Sequence, residues 1–271
     1  MKRLPLSGWI GLIIVASVVL LALVSLVWTP YNPVHAVPAD RLLASSSEHL
    51  MGTDRYGRDV FSRIMAGAQI TLFVGLVAVG ISALVGVPWG MWAGMKRGWT
   101  EAAIMRGMDI MLAFPALLLA IITGAVFGSS TTTAMVAIGI AGIPGFARVA
   151  RAGTLQVMTQ DYVASARVSR VPTLLIAIRH VLPNIAGLIV VQASVAFALA
   201  VLAEAALSFL GLGTAPPDPS WGRMLQSAQA SLGTAPQLAL WPGLAIAITV
   251  LGFNLLGDGL SDALNPRRSR R

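Results

Sequence analysis

The 271-residue chain contains no cysteine, which excludes disulfides, thiolate metal sites and cysteine nucleophiles. Lysine is nearly absent: Lys2 and Lys96 are its two occurrences. A phosphate-binding loop of the Walker type needs Gly-Lys-Ser/Thr, because the lysine must reach the phosphates and the hydroxyl the magnesium. Lys96 lies between Met95 and Arg97, so this chain has no such ATPase site of its own. Histidine is sparse too, at His35, His49 and His180. No i, i+4 pair or acidic companion stands at the spacing a zinc site demands, and no Gly-x-Ser-x-Gly elbow or other nucleophile context occurs. An intramembrane enzyme is therefore a weak reading. His35 and His49 are expected as exposed loop residues, and His180 as an interfacial or packing residue.

Charge is scarce, at 11 % of residues, while 56 % are hydrophobic and the mean hydropathy is +0.78. That mixture lies far from a soluble domain, where roughly a quarter of residues are charged. Apolar runs at 9–28, 70–95, 104–127, 132–149, 182–207 and 238–256 approach or exceed the roughly 20 residues a helix needs to cross a hydrocarbon core. Each helix satisfies its own backbone, as a bilayer requires. The expected fold class is an all-α membrane protein of about six transmembrane helices. The first run is too long for the core of a cleaved signal peptide and is read as an uncleaved anchor.

The net charge of +8 follows the membrane. With Lys2 and Arg3 before the first span, the amino terminus is expected in the cytoplasm, and six crossings return the carboxyl terminus there. Of 19 cations, Arg41, Arg55, Arg58, Arg63 and Arg223 then fall outside and the remaining 14 inside, as the positive-inside rule requires. That distribution accounts for the basic charge without nucleic acid as a partner. Along the chain we expect an anchor helix and extracytoplasmic segment over 1–66, a transmembrane domain over 67–260 and a basic cytoplasmic tail over 261–271.

Within the spans, Gly86, Gly90 and Gly94 form an i, i+4 stripe, read mainly as close helix packing. Asp109 follows Arg106 by three residues, which suggests an ion pair within one helix. Glu204, near the outer end of the fifth span, is a candidate helix contact or gate, since an acid at that depth is costly. Trp221 is a plausible interfacial anchor. Between the fourth and fifth spans runs a polar passage, DYVASARVSRVPTLLIAIRHVLPN, over 161–184. It reads as a short helix rich in small residues, a turn, and an Arg-His-x-Leu-Pro-Asn entry to the next span. An ordinary cytoplasmic loop would satisfy its arginines equally well.

Five blocks in order, HLMGTDRYGRDVFSRI (49–64), MRGMDIMLAFPALLLAI (105–121), the 161–184 passage, ALSFLGLGTAPPDPSWGRML (206–225) and FNLLGDGLSDALNPR (253–267), resemble the second permease subunit of the dipeptide, oligopeptide and nickel ATP-binding-cassette (ABC) importers. The resemblance implies a type I importer fold in a bacterial inner membrane, paired with a homologous permease. It further implies two ABC ATPase subunits carrying ATP and magnesium, and an extracytoplasmic solute-binding protein. No cofactor is expected on this chain.

By the same resemblance Asp161, Tyr162, Val163, Ala164, Ser165, Ala166, Arg167, Val168, Ser169 and Arg170 form the ATPase-coupling segment, with the small Ala164, Ser165 and Ala166 suited to insertion. Arg170 stands where the family usually has glycine, and Ser169 where it often has leucine. Because glycine takes positive φ more readily than arginine, the turn is expected to pass through Val171 and Pro172 instead. Loops at 52–59 and 216–221 are either packed outer loops or docking surfaces for the binding protein. The implied activity is import of small peptides, with nickel or another small solute as the alternative. An ATP-independent transporter or channel is the rival from a different class.

Overall fold

The computed structural model describes residues 4–264; Lys2, Arg3 and the 265–271 part of the basic tail lie outside them. Its helices are α1 Leu6–Val27, α2 Val60–Lys96, α3 Gly98–Ala113, α4 Ala116–Phe127, α5 Thr131–Val157, α6 Asp161–Val168, α7 Thr173–Ile176, α8 Leu182–Phe209, α9 Trp221–Ala228 and α10 Gln237–Leu264. No β-strand occurs among the described residues. Five stretches are long and apolar enough to cross a membrane, and six if α3 and α4 count as one span.

Local chemistry sets the helix ends. Asp59 caps α2 by accepting the Ser62 amide (2.7 Å), Ser130 caps α5 through the Thr133 amide (3.1 Å), and Ser220 caps α9 through the Arg223 amide (3.2 Å). Each supplies an acceptor to an otherwise unpaired first-turn donor. The expected third span, 104–127, is not one helix: α3 and α4 meet at a 77° bend. Pro115 supplies no N–H and pushes Phe114 out of the helical region (φ −90°, ψ 119°), so the ladder breaks there. The fifth span is longer than expected, running from Thr173 to Phe209. A π turn at Ala177–Val181 carries α7 into α8 just before Pro183, and the Asn184 side chain donates to His180 O at 2.7 Å. The wide turn and the side-chain donor accommodate a proline that cannot bond back along the helix.

The packing centre is α2 against α5. A Cβ on Gly86 would meet Ile143 O and Phe146, one on Gly90 the backbone of Ala147, and one on Gly94 the side chain of Thr154. The glycine stripe is therefore what lets the two backbones touch. At the α1–α10 crossing Gly8 and Gly259 play the same part. On the outer faces Leu6, Leu20, Leu76, Leu84, Val126 and Leu199 stand exposed, as helices bathed in lipid require.

Candidate functional site

At one end of the bundle lie the end of α2, the start of α3, the end of α5, α6 and α7; the loops 28–59 and 210–236 occupy the other. α6 carries Asp161 in its first turn and Arg167 in its last, each on the side that the helix dipole favours. Val163 and Ala166, three residues apart, face inward and are buried. They belong to one apolar cluster with Val87, Phe146, Ala150, Ile176, Val181 and Ile185. Burial of a valine contributes about 1.5–3 kcal/mol, so these two side chains join α6 to the apolar cluster of the bundle. Tyr162 is half-exposed, its ring 5.9 Å from that of His180. Ala164, Ser165, Arg167, Val168, Ser169 and Arg170 are exposed, Val168 by 84 %. Ala166, grouped in the sequence with the insertion-ready small residues, faces the protein interior.

The turn after α6 departs from expectation. Arg170 itself takes φ 55°, its N–H donating to Arg167 O (2.9 Å) while Val171 N–H donates to Ala166 O (3.0 Å). This pair of bonds is the Schellman stop, which needs a left-handed residue just past the helix. Glycine is the usual occupant, and here the two bonds hold an arginine there; Pro172 follows and α7 begins behind it.

Two ion pairs brace α3 against α5 near the same end. Arg148 donates to Asp109 at 2.6 Å, and Arg151 Nε donates to Glu101 at 2.6 Å. The expected Arg106–Asp109 pair is thus replaced by one across helices, with Asp109 directed at the neighbouring α5. Both members of the Asp109–Arg148 pair are about half exposed, which keeps its contribution small.

Midway along the bundle, α2, α4, α5 and α8 enclose a cleft of about 230 Å³. Its walls are apolar except for Ser82, whose hydroxyl lies 2.7 Å from Gly139 O, and Gln192 on α8. Periodicity gave no sign of this cleft, since every face of these helices is apolar. Glu204 lies at the far end of α8 and is buried. Ser208 Oγ donates to its Oε1 (2.7 Å) and accepts from Thr214 N–H (3.1 Å), so these bonds tie the end of α8 to the following loop. Its second oxygen has no hydrogen-bond partner among the described residues.

Two outer-loop expectations are corrected. His49 is buried, with Nδ1 2.9 Å from Asp59 Oδ1, so it closes the 46–59 loop onto the α2 cap. Trp221 is buried too: its indole N–H donates to Ile64 O at 3.0 Å, and its ring fills the space opposite Gly67. Both partners are remote or loop-borne, and local sequence gives no signal for either.

Residues 86–270 match the family described as "Binding-protein-dependent transport system inner membrane component". The chain belongs to that family. This permease is 41 % identical over 258 residues to the dipeptide transport system permease protein of Alkalihalophilus pseudofirmus, covering 95 % of this chain and 85 % of the relative. It is 44 % identical over 239 residues to the glutathione transport system permease protein of Pectobacterium atrosepticum, covering 88 % and 79 %. Its fold is that of a type I ABC importer permease: a chain of the MetNI methionine ABC transporter, solved in an inward-facing conformation, superposes with TM-score 0.61 at 17 % identity, covering 74 % of this chain and 96 % of that one.

Proposed function

We propose that this permease imports small peptides, forming half of the translocation pathway with a homologous second permease. Separate ATPase subunits carry the ATP and magnesium, and an extracytoplasmic solute-binding protein delivers the peptide. The observation that carries the substrate class is the kinship, over nearly the whole chain, to permeases named for a dipeptide and for glutathione. Kinship moves the weight from nickel to peptides.

In this reading α6 lies in the cytoplasm, as do both termini, and the 28–59 loop faces outward. Lys96, Arg97, Arg148, Arg151, Arg167, Arg170 and Arg179 then stand on the cytoplasmic side, in keeping with the positive-inside rule. α6 is the coupling helix. An ATPase groove grips its exposed face, while Val163 and Ala166 tie the other face to the apolar cluster that also holds residues of α2, α5 and α8. A close-packed cluster transmits a push as a rigid body. Movement of α6 thereby reaches the walls of the cleft around Gln192, and the cleft opens alternately to the two sides.

Val168→Asp places a charge on the exposed face, where the fold tolerates it. The tagged chain, purified in mild detergent with its co-expressed partner subunits, is expected to keep its second permease but lose the ATPase subunits and ATP-driven uptake of alanyl-alanine in proteoliposomes. Ala166→Asp is the contrasting case, because it buries a charge in the cluster and lowers the yield of folded protein. Uptake by wild-type protein in vesicles without ATP or ATPase subunits would establish an autonomous transporter instead.

A further inference from the structure

At the end opposite α6, the 28–59 segment, the start of α2, the 216–218 loop and α9 enclose a cavity of about 290 Å³. Its wall carries four arginines, Arg55, Arg58, Arg63 and Arg223, against one carboxylate, Asp218; Asp54 stands behind the wall, paired with Arg58. We propose that this cavity receives an acidic side chain of the solute-binding protein and is an ionic anchor of the docked complex. The inference rests on the importer reading above and adds the chemistry of the docking contact.

The carboxylates already present leave the arginines short of partners. Asp54 is heavily used: it pairs with Arg58 at 2.7 Å and accepts the amides of Tyr56 (2.8 Å) and Arg58 (3.1 Å). It reaches Arg63 only at 3.8 Å. Arg63 is 3 % exposed and donates to Pro33 O at 2.7 Å, so its charge is buried with a single, distant counter-ion. Neither Arg55 nor Arg223 has a carboxylate within ion-pair distance among the described residues. Arg55 donates to the Tyr56 hydroxyl (2.6 Å), and Arg223 donates to the Gln226 side chain. The Nε of Arg55 is buried with no acceptor among the described residues.

These groups are held in place. Arg55 and Arg58 both lie 4.7 Å from the centroid of the Tyr56 ring, a cation–π arrangement that fixes two forks beside the opening. A fixed guanidinium fork matches the planar pair of oxygens of a carboxylate, the anion that acidic side chains present on a protein surface. The cavity has room for a side chain, and loop and α9 residues make most of its wall. It therefore opens where a protein arriving from outside would touch, beyond the lipid-facing stretches of the spans. A local excess of positive charge also speeds the approach of an acidic partner and makes the encounter salt-sensitive.

The test uses the complete transporter in nanodiscs, titrated with its cognate solute-binding protein at low and high sodium chloride, with assembly and thermal stability monitored alongside. The dissociation constant is expected to rise with salt in wild type. Arg55→Glu and Arg223→Glu are each expected to weaken binding by about tenfold or more, as the loss of a charge-assisted contact does, while Arg55→Lys, which keeps the charge, loses less. Binding by both glutamate variants within about twofold of wild type would overturn the proposal, twofold being well below the effect of one such contact. So would loss of subunit assembly, which would make the arginines structural. Unchanged binding together with loss of stabilisation by phosphatidylglycerol would assign the cavity to a lipid headgroup and overturn it equally. Failure of the wild-type complex to bind the solute-binding protein would instead sink the importer reading from which the inference starts.

Discussion

Replacing Arg170 with glycine should tighten the end of α6. Arg170 sits at φ 55° in the Schellman stop after α6, a conformation that costs a residue with a Cβ about 1–2 kcal/mol. Glycine removes that cost but brings more freedom to the unfolded chain, which takes back about 0.4–1 kcal/mol. The net gain is about 0.5–1 kcal/mol, so the two amides that close the stop, those of Arg170 and Val171, should open about two to five times less often. Hydrogen exchange with mass spectrometric readout, on the intact complex, reports that opening directly for peptides covering 166–172. Arg170→Ala keeps the Cβ while removing the charge and should exchange like wild type. Unchanged or faster exchange in the glycine variant would refute the strain argument; equal slowing in the alanine variant would show that charge, not backbone conformation, sets the stability of the turn. A functional use of the charge has its own signature, because ATP hydrolysis stimulated by the binding protein would fall in Arg170→Gly and persist in Arg170→Lys.

Gly90→Val should prevent folding of the bundle, because its Cβ would run into the Ala147 backbone and force α2 from α5 at a cost of at least about 3 kcal/mol. Gly107→Ala, where an added Cβ meets nothing within 4 Å, should raise stability by about 0.5–1 kcal/mol; thermal unfolding of the detergent-solubilised protein, followed by intrinsic fluorescence, separates the two. Trp221→Phe removes the indole bond to Ile64 O and part of the ring, and should cost about 1–2 kcal/mol in the same assay. No change on that substitution would return Trp221 to the role of a membrane-interface anchor.

Span number and the site of α6 were legible because both rest on local composition: about 20 apolar residues make a span, and a polar passage between two of them must lie at a surface. The bend between α3 and α4 was equally local, since Pro115 was in view, but a hydropathy window records what residues are and not whether the helical ladder continues through them. What stayed hidden was tertiary. His49 meets Asp59 across a folded loop, and Trp221 meets Ile64 across 157 positions of chain. Asp109 had a visible partner at i−3 in Arg106, yet the carboxylate turns to Arg148, 39 residues away. An i, i+3 pair on an open helix surface is worth only about 0.2–0.5 kcal/mol, too little to hold the side chain once a cation on a packed neighbour is in reach.

Helix α6 shows how far a finer sequence reading could have gone. Two turns of helix allow one inward stripe, and at 3.6 residues per turn that stripe in DYVASARV is Val163 with Ala166. The run of small residues at Ala164, Ser165 and Ala166 straddles its edge, so residue size alone does not tell the buried Ala166 from its exposed neighbours. Val168 is the informative exception, apolar yet about 140° round the helix from Val163. In the isolated chain it is 84 % exposed. An apolar side chain that the fold itself does not bury, on the face turned away from the membrane domain, gains stability only when a partner covers it. The proposed ATPase contact therefore belongs at Val168 rather than Ala166, and the paired outcome of Val168→Asp and Ala166→Asp reads out which face of α6 a partner covers.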